Sequence, residues 1–313
     1  MGKYRIFIAM LILLASCEYP SQKKSENKKA AKVVYAHLFV YTLNMDLLPV
    51  HPLPKGKIKE SKVVRIEYDK KNRPTKAAWM YMGKPASAGQ PNTKIYSIRY
   101  TYAKNKMTAV NYSKKNRPTI DVFGVSKMVT LYDDNHNAIK LSNYGIDGKM
   151  HKDEYGNYQY QYEKSPDESI IYAYTLDTND QIIPIGEGGY RYSFTIDSKG
   201  LVVKNEWFDK NNQRTFNNRA YAISELTYDN LNQLTGINYR DADGNLTLNK
   251  TNQVAAVLYQ YDDYGNMVVI SFYGRYGEPV TNSEYTCARI KIRYEKGEPY
   301  QYFAYDTEGN KIN

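Results

Sequence analysis

Few residues in this chain have types and spacings that could do chemistry. Asp241-Ala242-Asp243-Gly244-Asn245 carries oxygen donors like those that open a calcium loop. Such a loop needs an acidic ligand at its twelfth place, which here is Asn252. A tight turn uses the same Asp, Gly and Asn without a metal. Cys287 would be a nucleophile only as a thiolate, and no helix start or histidine lies near it in sequence to lower its pKa. A buried structural cysteine is expected instead. His37 and His51 lack the close His/Cys/Asp spacing of a zinc site and read as structural. Pro184–Gly189 is glycine-rich, but it lacks the Lys-Ser/Thr of a phosphate loop and opens no helix. The 33 Asp and Glu residues fall mostly at turns, so no two stand out as an acid–base pair. The expectation is therefore a non-enzymatic chain with no catalytic residue, no metal and no cofactor.

The second cysteine, Cys17, stands in a different context. Lys3 and Arg5 form a basic end, and Ile6–Leu14 is an apolar core too short to span a bilayer as a permanent helix. Leu14-Ala15-Ser16-Cys17 follows. This resembles the lipobox of bacterial lipoproteins, in which Leu and two small residues precede the cysteine. The resemblance implies diacylglycerol on the Cys17 sulfur, cleavage before Cys17, and acylation of the new amine by a fatty acid such as palmitate. Residues 1–16 then read as a signal peptide. Glu18 is not the Asp that retains lipoproteins on the inner membrane in enteric bacteria, so the resemblance favours the outer membrane. Loss of Lys3 and Arg5 takes the formal charge from +10 to +8. Residues 17–32 are a polar tether with too little apolar surface to order itself, and its lysines read as a solvated linker.

The elements beyond the tether follow from a repeated signal. Tyr-Asp and its degenerate copies end at Tyr68-Asp69, Tyr102-Ala103, Tyr132-Asp133, Tyr162-Glu163, Ile196-Asp197, Tyr228-Asp229, Tyr261-Asp262 and Tyr294-Glu295. The last steps between acidic positions are 32 (229 − 197), 33 (262 − 229) and 33 (295 − 262). A fixed period of this size marks one supersecondary unit copied in tandem. A second turn lies 11 or 12 residues after the first, as in Gly265 and Gly277. Lys-Lys-Asn-Arg-Pro-Thr recurs verbatim at Lys70–Thr75 and Lys114–Thr119, once in each kind of turn. Between turns, segments such as Val64-Arg65-Ile66-Glu67-Tyr68 and Ile290-Lys291-Ile292-Arg293-Tyr294 alternate with period two.

Sixteen short strands are expected, two per repeat, with one buried and one wet face. The fold class is all-β: tandem β-hairpin repeats of about 33 residues forming a twisted solenoid or an open curved antiparallel sheet. The repeat domain spans 57–313. Residues 33–56, with Pro49, Pro52 and Pro54, are expected to cap its first edge. Tyrosine dominates the aromatics, 33 against 8 Phe and 2 Trp, which suits half-buried side chains whose hydroxyls must reach water. With Cys17 lipidated, Cys287 is left without a disulfide partner.

The Tyr-Asp-x-x-Gly-Asn turns at Tyr261–Asn266 and Tyr305–Asn310, with Tyr228-Asp229, are similar to the YD repeat of the RHS family. That resemblance runs from Lys57 onward and is better after Tyr190. Family members build long spiralling β-sheets that often wrap a toxin or act as surface proteins. This chain shows no toxin domain and no autoproteolytic core segment, so a smaller solenoid or open sheet is expected.

The excess of Lys and Arg among many tyrosines is also a composition that holds single-stranded nucleic acid. An exported, anchored chain meets protein or polysaccharide instead, so no nucleic acid is expected. The function expected is a cell-envelope lipoprotein, membrane-held through Cys17, whose repeat surface binds a protein or polysaccharide. The alternative is an envelope hydrolase with carboxylates on the sheet. A labelled fatty acid supplied to expressing cells should mark the protein, and Cys17→Ala should lose both the label and membrane association. Label retained by Cys17→Ala would refute lipidation at this residue.

Overall fold

The structure, a computed structural model, describes residues 32–59, 61–88 and 94–312. Cys17, the signal segment 1–16 and the tether up to Ala31 lie outside the described residues. The described chain forms two compact units, residues 32–164 with 173–186, and residues 165–172 with 187–312.

Five of the eight first turns, at Asp69, Asp133, Asp197, Asp229 and Asp262, are each built by one carboxylate. Asp262 Oδ1 accepts the N–H groups of Tyr264 and Asn266, both at 2.9 Å. The backbone closes the same loop, with Asp262 N donating to Asn266 O at 3.0 Å and Gly265 N to Asp262 O at 3.0 Å. The residue three places after the Asp must then take the left-handed conformation. Gly265 does so at φ 82°, and where glycine is missing Asn72, Asn212 and Asn232 do so at 58–66°. This is a type I turn followed by a left-handed residue, and it places a bulge in the following strand. The register shifts accordingly at Tyr68, Tyr132, Ile196, Tyr228 and Tyr261.

The strands of the first unit are β1 (Lys32–Tyr41), β2 (Leu47–Pro52), β3 (Lys62–Tyr68), β4 (Pro74–Tyr81), β5 (Lys84–Pro85), β6 (Ser97–Ala103), β7 (Lys106–Tyr112), β8 (Lys127–Tyr132), β9 (Ala138–Tyr144) and β10 (Gln159–Lys164), with a 3-10 turn at Lys55–Lys59. Antiparallel pairing runs β2–β1–β3–β4–β6–β7–β8–β9–β10. Among the described residues no pairing joins β2 to β10, so this unit's sheet is open. Pro49 and Pro52 lie on the edge strand β2, where a missing N–H is tolerated and discourages further pairing.

β11 (Ile170–Leu176) pairs with β12 (Ile182–Ile183) through Thr175 and Leu176. The second unit continues with β13 (Arg191–Ile196), β14 (Val202–Phe208), β15 (Ile223–Tyr228), β16 (Leu234–Arg240), β17 (Ala256–Tyr261), β18 (Met267–Tyr273), β19 (Arg289–Glu295), β20 (Glu298–Tyr305) and β21 (Lys311–Ile312), each antiparallel to the next. Setting aside β1, β2 and the two-residue β5, β12 and β21 leaves sixteen strands among the described residues. These are the eight expected hairpins.

The tyrosine hydroxyls depart from expectation. They do not simply reach water. Tyr261 Oη donates to Leu234 O at 2.7 Å and Tyr228 Oη to Val202 O at 3.1 Å in the second unit. Tyr102 Oη donates to Pro74 O at 2.9 Å in the first. Each accepting carbonyl sits beside the bulge of the preceding hairpin, where the ladder is disturbed and the oxygen is available. One hydroxyl thus ties each of these hairpins to the one before it.

Sequence reading also missed a third turn, about 20 residues after the first. Asn217, Asn249 and Asn282 close it in the second unit, and Asp121 and Asp153 in the first. The arm that ends in this turn stacks on its neighbour. Asn218 N donates to Glu187 O at 2.7 Å, Lys250 N to Arg219 O at 2.7 Å, and Ser283 N to Asn252 O at 3.0 Å. The arms cover one face of the hairpins. Val254, Val280, Tyr285 and Cys287 pack there against Val257, Ile270, Phe272 and Ile290. Trp207, 2% exposed, meets Tyr192 at 5.8 Å and Tyr221 at 5.2 Å, and Tyr221 meets Tyr239 at 4.7 Å. Each such aromatic pair adds roughly 0.5–1.5 kcal/mol beyond its buried area.

Deleting the 33 residues Asp229–Tyr261 rejoins Tyr228 to Asp262 and should bring the arm of Asn282 against that of Arg219. Deleting the 16 residues Asp229–Gly244 joins a first turn to the end of a second and puts apolar side chains on the wrong face. Thermal unfolding and protease resistance should show the longer deletion to be the milder. The reverse order would show that the repeat is not the structural unit.

Candidate ligand-binding face

The wet face of the sheet carries an array that repeats with the hairpins. Tyr112 and Tyr144 in the first unit occupy equivalent places, just before the second turn. Phe208, Tyr273 and Tyr305 do the same in the second, with Met80 and Arg240 in two of the remaining places. All five rings are half-buried. Four of them lie beneath a cation. Arg99 Cζ is 4.2 Å from the Tyr112 ring centre, Lys127 Nζ 4.3 Å from Tyr144, Arg191 Cζ 4.5 Å from Phe208, and Lys291 Nζ 5.2 Å from Tyr305. A stacked guanidinium keeps its N–H edge for an anion. One hairpin advances the sheet by two strand spacings, so adjacent places in the row lie roughly 10 Å apart.

The electrostatics of the face change along the second unit. Glu206 pairs with Lys204 at 3.1 Å and Arg214 at 2.6 Å. Arg240 pairs with Glu225 at 2.6 Å. Further on, Arg289, Lys291 and Arg293 project from one side of β19 and are exposed. Arg293 lies 5.0 Å and Lys311 4.6 Å from the Phe303 ring. Among the described residues no ion pair reaches these four cations. A cleft of about 200 Å³ opens on this face, lined by Ser271, Tyr273, Pro279, Arg289, Tyr305 and Glu308.

The residues weighed from sequence fall as follows. Cys17 lies outside the described residues. Cys287 is 1% exposed inside the second unit's core, and burial pushes its thiol up. Asp241 Oδ1 accepts the N–H groups of Asp243 at 3.0 Å and Asn245 at 2.8 Å, so the calcium-like stretch closes a second turn with the same carboxylate clasp. His51 is buried on β2. Among the described residues no group of three or more His, Cys, Asp or Glu side chains is placed to hold a metal, and no helix is long and apolar enough to cross a membrane.

The turn carboxylates divide into two kinds. The backbone N–H and side-chain amide of Asn137 hold Asp133 below the usual carboxylate range. Asp121 behaves oppositely. Burial pushes it up to about 6 against the N–H groups of Val125 and Phe123, and the charge of Asp153 adds to the rise. Burial also raises Asp153, against a 2.6 Å hydrogen bond from Tyr160 Oη. Both close third turns, where the second unit uses Asn.

No family model matches the chain, and no curated protein matches it. Among the solved structures that match, two are similar over 85% of the chain at 11% identity. One is a crystal structure of TcdB2-TccC3-TEV, with a TM-score of 0.19 and 19% of that chain covered. The other is a Tc holotoxin pore of Photorhabdus luminescens with a mutated TccC3, with a TM-score of 0.23 and 18% covered. The chain thus spans about a fifth of the length of these chains.

The Asp121 carboxyl yields a pH prediction. Its pKa is higher folded than its ordinary 3.8, so its ionisation weakens the fold as pH rises from about 4 to about 6, and the loss is complete above that. Asp121→Asn keeps the acceptor oxygen, as Asn217 does for Arg219 N at 2.9 Å. The variant should match wild type below about pH 4 and be more stable by on the order of 1–2 kcal/mol at pH 7–8. Denaturant unfolding at both pH values checks this, and a variant less stable at pH 8 would contradict it.

Proposed function

We propose that this chain is a non-enzymatic lipoprotein of the bacterial cell envelope, held by lipid on Cys17 and favouring the outer membrane. Its wet repeat face binds a protein or polysaccharide partner. The observation that carries the reading is the set of cation-over-ring pairs in four of the eight hairpins, with the exposed Arg289, Lys291, Arg293 and Lys311 in the last of them. Rings that order cations on an exposed face fit recognition of an extended partner by stacking and charge. The Leu14-Ala15-Ser16-Cys17 stretch supports the address. The RHS-like turns support a surface role, as the resemblance implies.

A second reading, an envelope hydrolase, rests on Asp121 and Asp153, two carboxylates raised by burial in the first unit. It is less favoured, because both also close turns, with Asp121 Oδ1 accepting the N–H groups of Phe123 and Val125 at 2.8 Å.

Full-length protein in nonionic detergent separates the two readings. Envelope polysaccharide and envelope protein fractions should each be tested for retention and for turnover. The triple variant Arg289→Gln, Lys291→Gln, Arg293→Gln should lower retention by at least about tenfold with unfolding unchanged, because the three side chains are exposed. Turnover of an envelope polymer that is lost in Asp121→Asn would overturn the binding reading in favour of the hydrolase.

A further inference from the structure

We propose that the turn tips Val122-Phe123 and Ile146 of the first unit form a lipid-docking site that enters the headgroup layer of an anionic bilayer. This goes beyond the reading above: it is a membrane contact made by the folded sheet, independent of a lipid on Cys17.

The tips break the pattern of the repeat. Behind the residue that opens a third turn stand Glu154-Tyr155, Asn218-Arg219, Lys250-Thr251 and Ser283-Glu284. In the turn opened by Asp121 they are Val122 and Phe123, 50% and 46% exposed. The second place of a second turn holds Lys114, Thr178, Lys210, Ala242, Arg275 or Thr307. In the turn opened by Gly145 it holds Ile146, 55% exposed. Turn geometry asks for no large apolar side chain at either place, since the other turns close without one. His151 sets the two tips side by side. A methyl on Gly124 would stand 2.9 Å from its Nδ1 and one on Gly145 2.5 Å from its Nε2, so the ring lies against both turns. Ile120, also exposed, precedes the first of them.

Three observations select lipid as the occupant. The first is the closed backbone of the leading turn. Asp121 Oδ1 accepts the N–H groups of Phe123 and Val125 at 2.8 Å, and Asp121 N donates to Val125 O at 2.7 Å. Such a loop leaves water with few stranded polar groups, and its carboxylate is folded inward. The second is charge. Lys114, Lys115 and Arg117 on the turn before Phe123, and Lys149 and Lys152 beyond Ile146, are exposed, against Asp147 and Glu154. Apolar tips in a basic surround fit anionic headgroups. The third is size, since four side chains cover far less than the roughly 1,200 Å² of a stable protein interface. Chain length permits the contact. Lys32 pairs with Tyr68 at the first-turn end of the strands. The 15 residues (32 − 17) from Cys17 to Lys32 reach up to about 50 Å, more than the roughly 23 Å of a seven-residue strand. A lipid on Cys17 and these tips can therefore meet one bilayer.

The test uses the full chain with Phe123→Trp, mixed from detergent with vesicles of phosphatidylethanolamine and phosphatidylglycerol in equal parts, their acyl chains brominated. Bromine quenches tryptophan only within the bilayer, and the wild type, with Trp79 and Trp207, gives the background. The added tryptophan should lose at least about half its emission, because an interfacial side chain sits roughly 5–10 Å into the headgroup and acyl boundary. Adding Lys114→Gln, Lys115→Gln and Arg117→Gln, or using phosphatidylcholine alone, should lower that quenching by at least about twofold. Asn135→Trp is the control, on an exposed first turn at the other end of β9, and should gain no quenching. Phe123 and Asn135 are both exposed, so neither variant disturbs the core.

Equal quenching of Asn135→Trp would show general closeness to the bilayer and overturn the proposal. Equal quenching in phosphatidylcholine would do the same, as would a Phe123→Trp emission that bromine leaves unchanged. If that unquenched emission moves to shorter wavelength and the particle mass doubles, a second copy of the chain covers the tips instead. Quenching without fatty-acid label on Cys17 removes only the anchor from the reading above, whereas label without quenching removes only this inference.

Discussion

One carboxylate oxygen accepting two backbone N–H groups is the constraint on which the structure depends. At Asp262 those donors are two and four residues downstream, and Asp69, Asp133, Asp177, Asp197, Asp209, Asp229, Asp241 and Asp306 repeat the pattern. The clasp fixes the turn, the turn requires a left-handed residue at its fourth place, and the bulge follows. The bulge leaves a carbonyl exposed beside the ladder, and the tyrosine of the next hairpin finds it. Local chemistry of a few atoms therefore sets the coupling between neighbouring hairpins. The Tyr-Asp pair is one device: the Asp makes its own turn and the Tyr reaches back to the turn before.

The same geometry disciplines the wet face. Because every hairpin within a unit advances the sheet by the same two strands, a residue type placed before the second turn recurs there at a regular interval. Tyr112, Tyr144, Phe208, Tyr273 and Tyr305 are such residues. Any recognition surface built from them inherits the sheet's spacing and is suited to partners that are themselves periodic. What differs from hairpin to hairpin is charge. Arg240 is neutralised by Glu225, while among the described residues no ion pair reaches Arg289, Lys291 or Arg293 on β19.

Much of the architecture was legible because its signals are local. Tyr, Asp and Gly at fixed offsets marked eight hairpins, and period-two alternation marked their buried face. The third turn was not legible. At Asn249–Val254 it closes over one more residue than the first turn does, with Asn249 N donating to Val254 O at 2.9 Å. It contains no glycine there, and Gln253 takes the left-handed conformation at φ 60°. Its trace in sequence is the pair of compact residues after it, such as Val254-Ala255 and Cys287-Ala288, which read as ordinary apolar residues until the arm is seen to cover them. The destination of the tyrosine hydroxyls was hidden for a related reason, since the accepting carbonyl belongs to another hairpin 26 to 28 residues upstream. The binding face was only half visible. Arg289, Lys291 and Arg293 alternate in sequence, but their juxtaposition with Tyr273, Phe303 and Tyr305 depends on strand register.

The tyrosine clasps also set how the second unit would respond to tension. Tyr228 and Tyr261 each hold the hairpin before them, and among the described residues each strand from β15 to β19 pairs with its chain neighbours. A pull on the C-terminal end therefore loads the last hairpin first, as a zipper is opened from one end. Each hairpin that gives way releases about 33 residues, or roughly 110 Å of slack, while those behind it stay folded. A chain held at its N-terminal side and pulled at the other would lengthen in even steps, yielding its last hairpin as a fuse before the rest of the unit is strained.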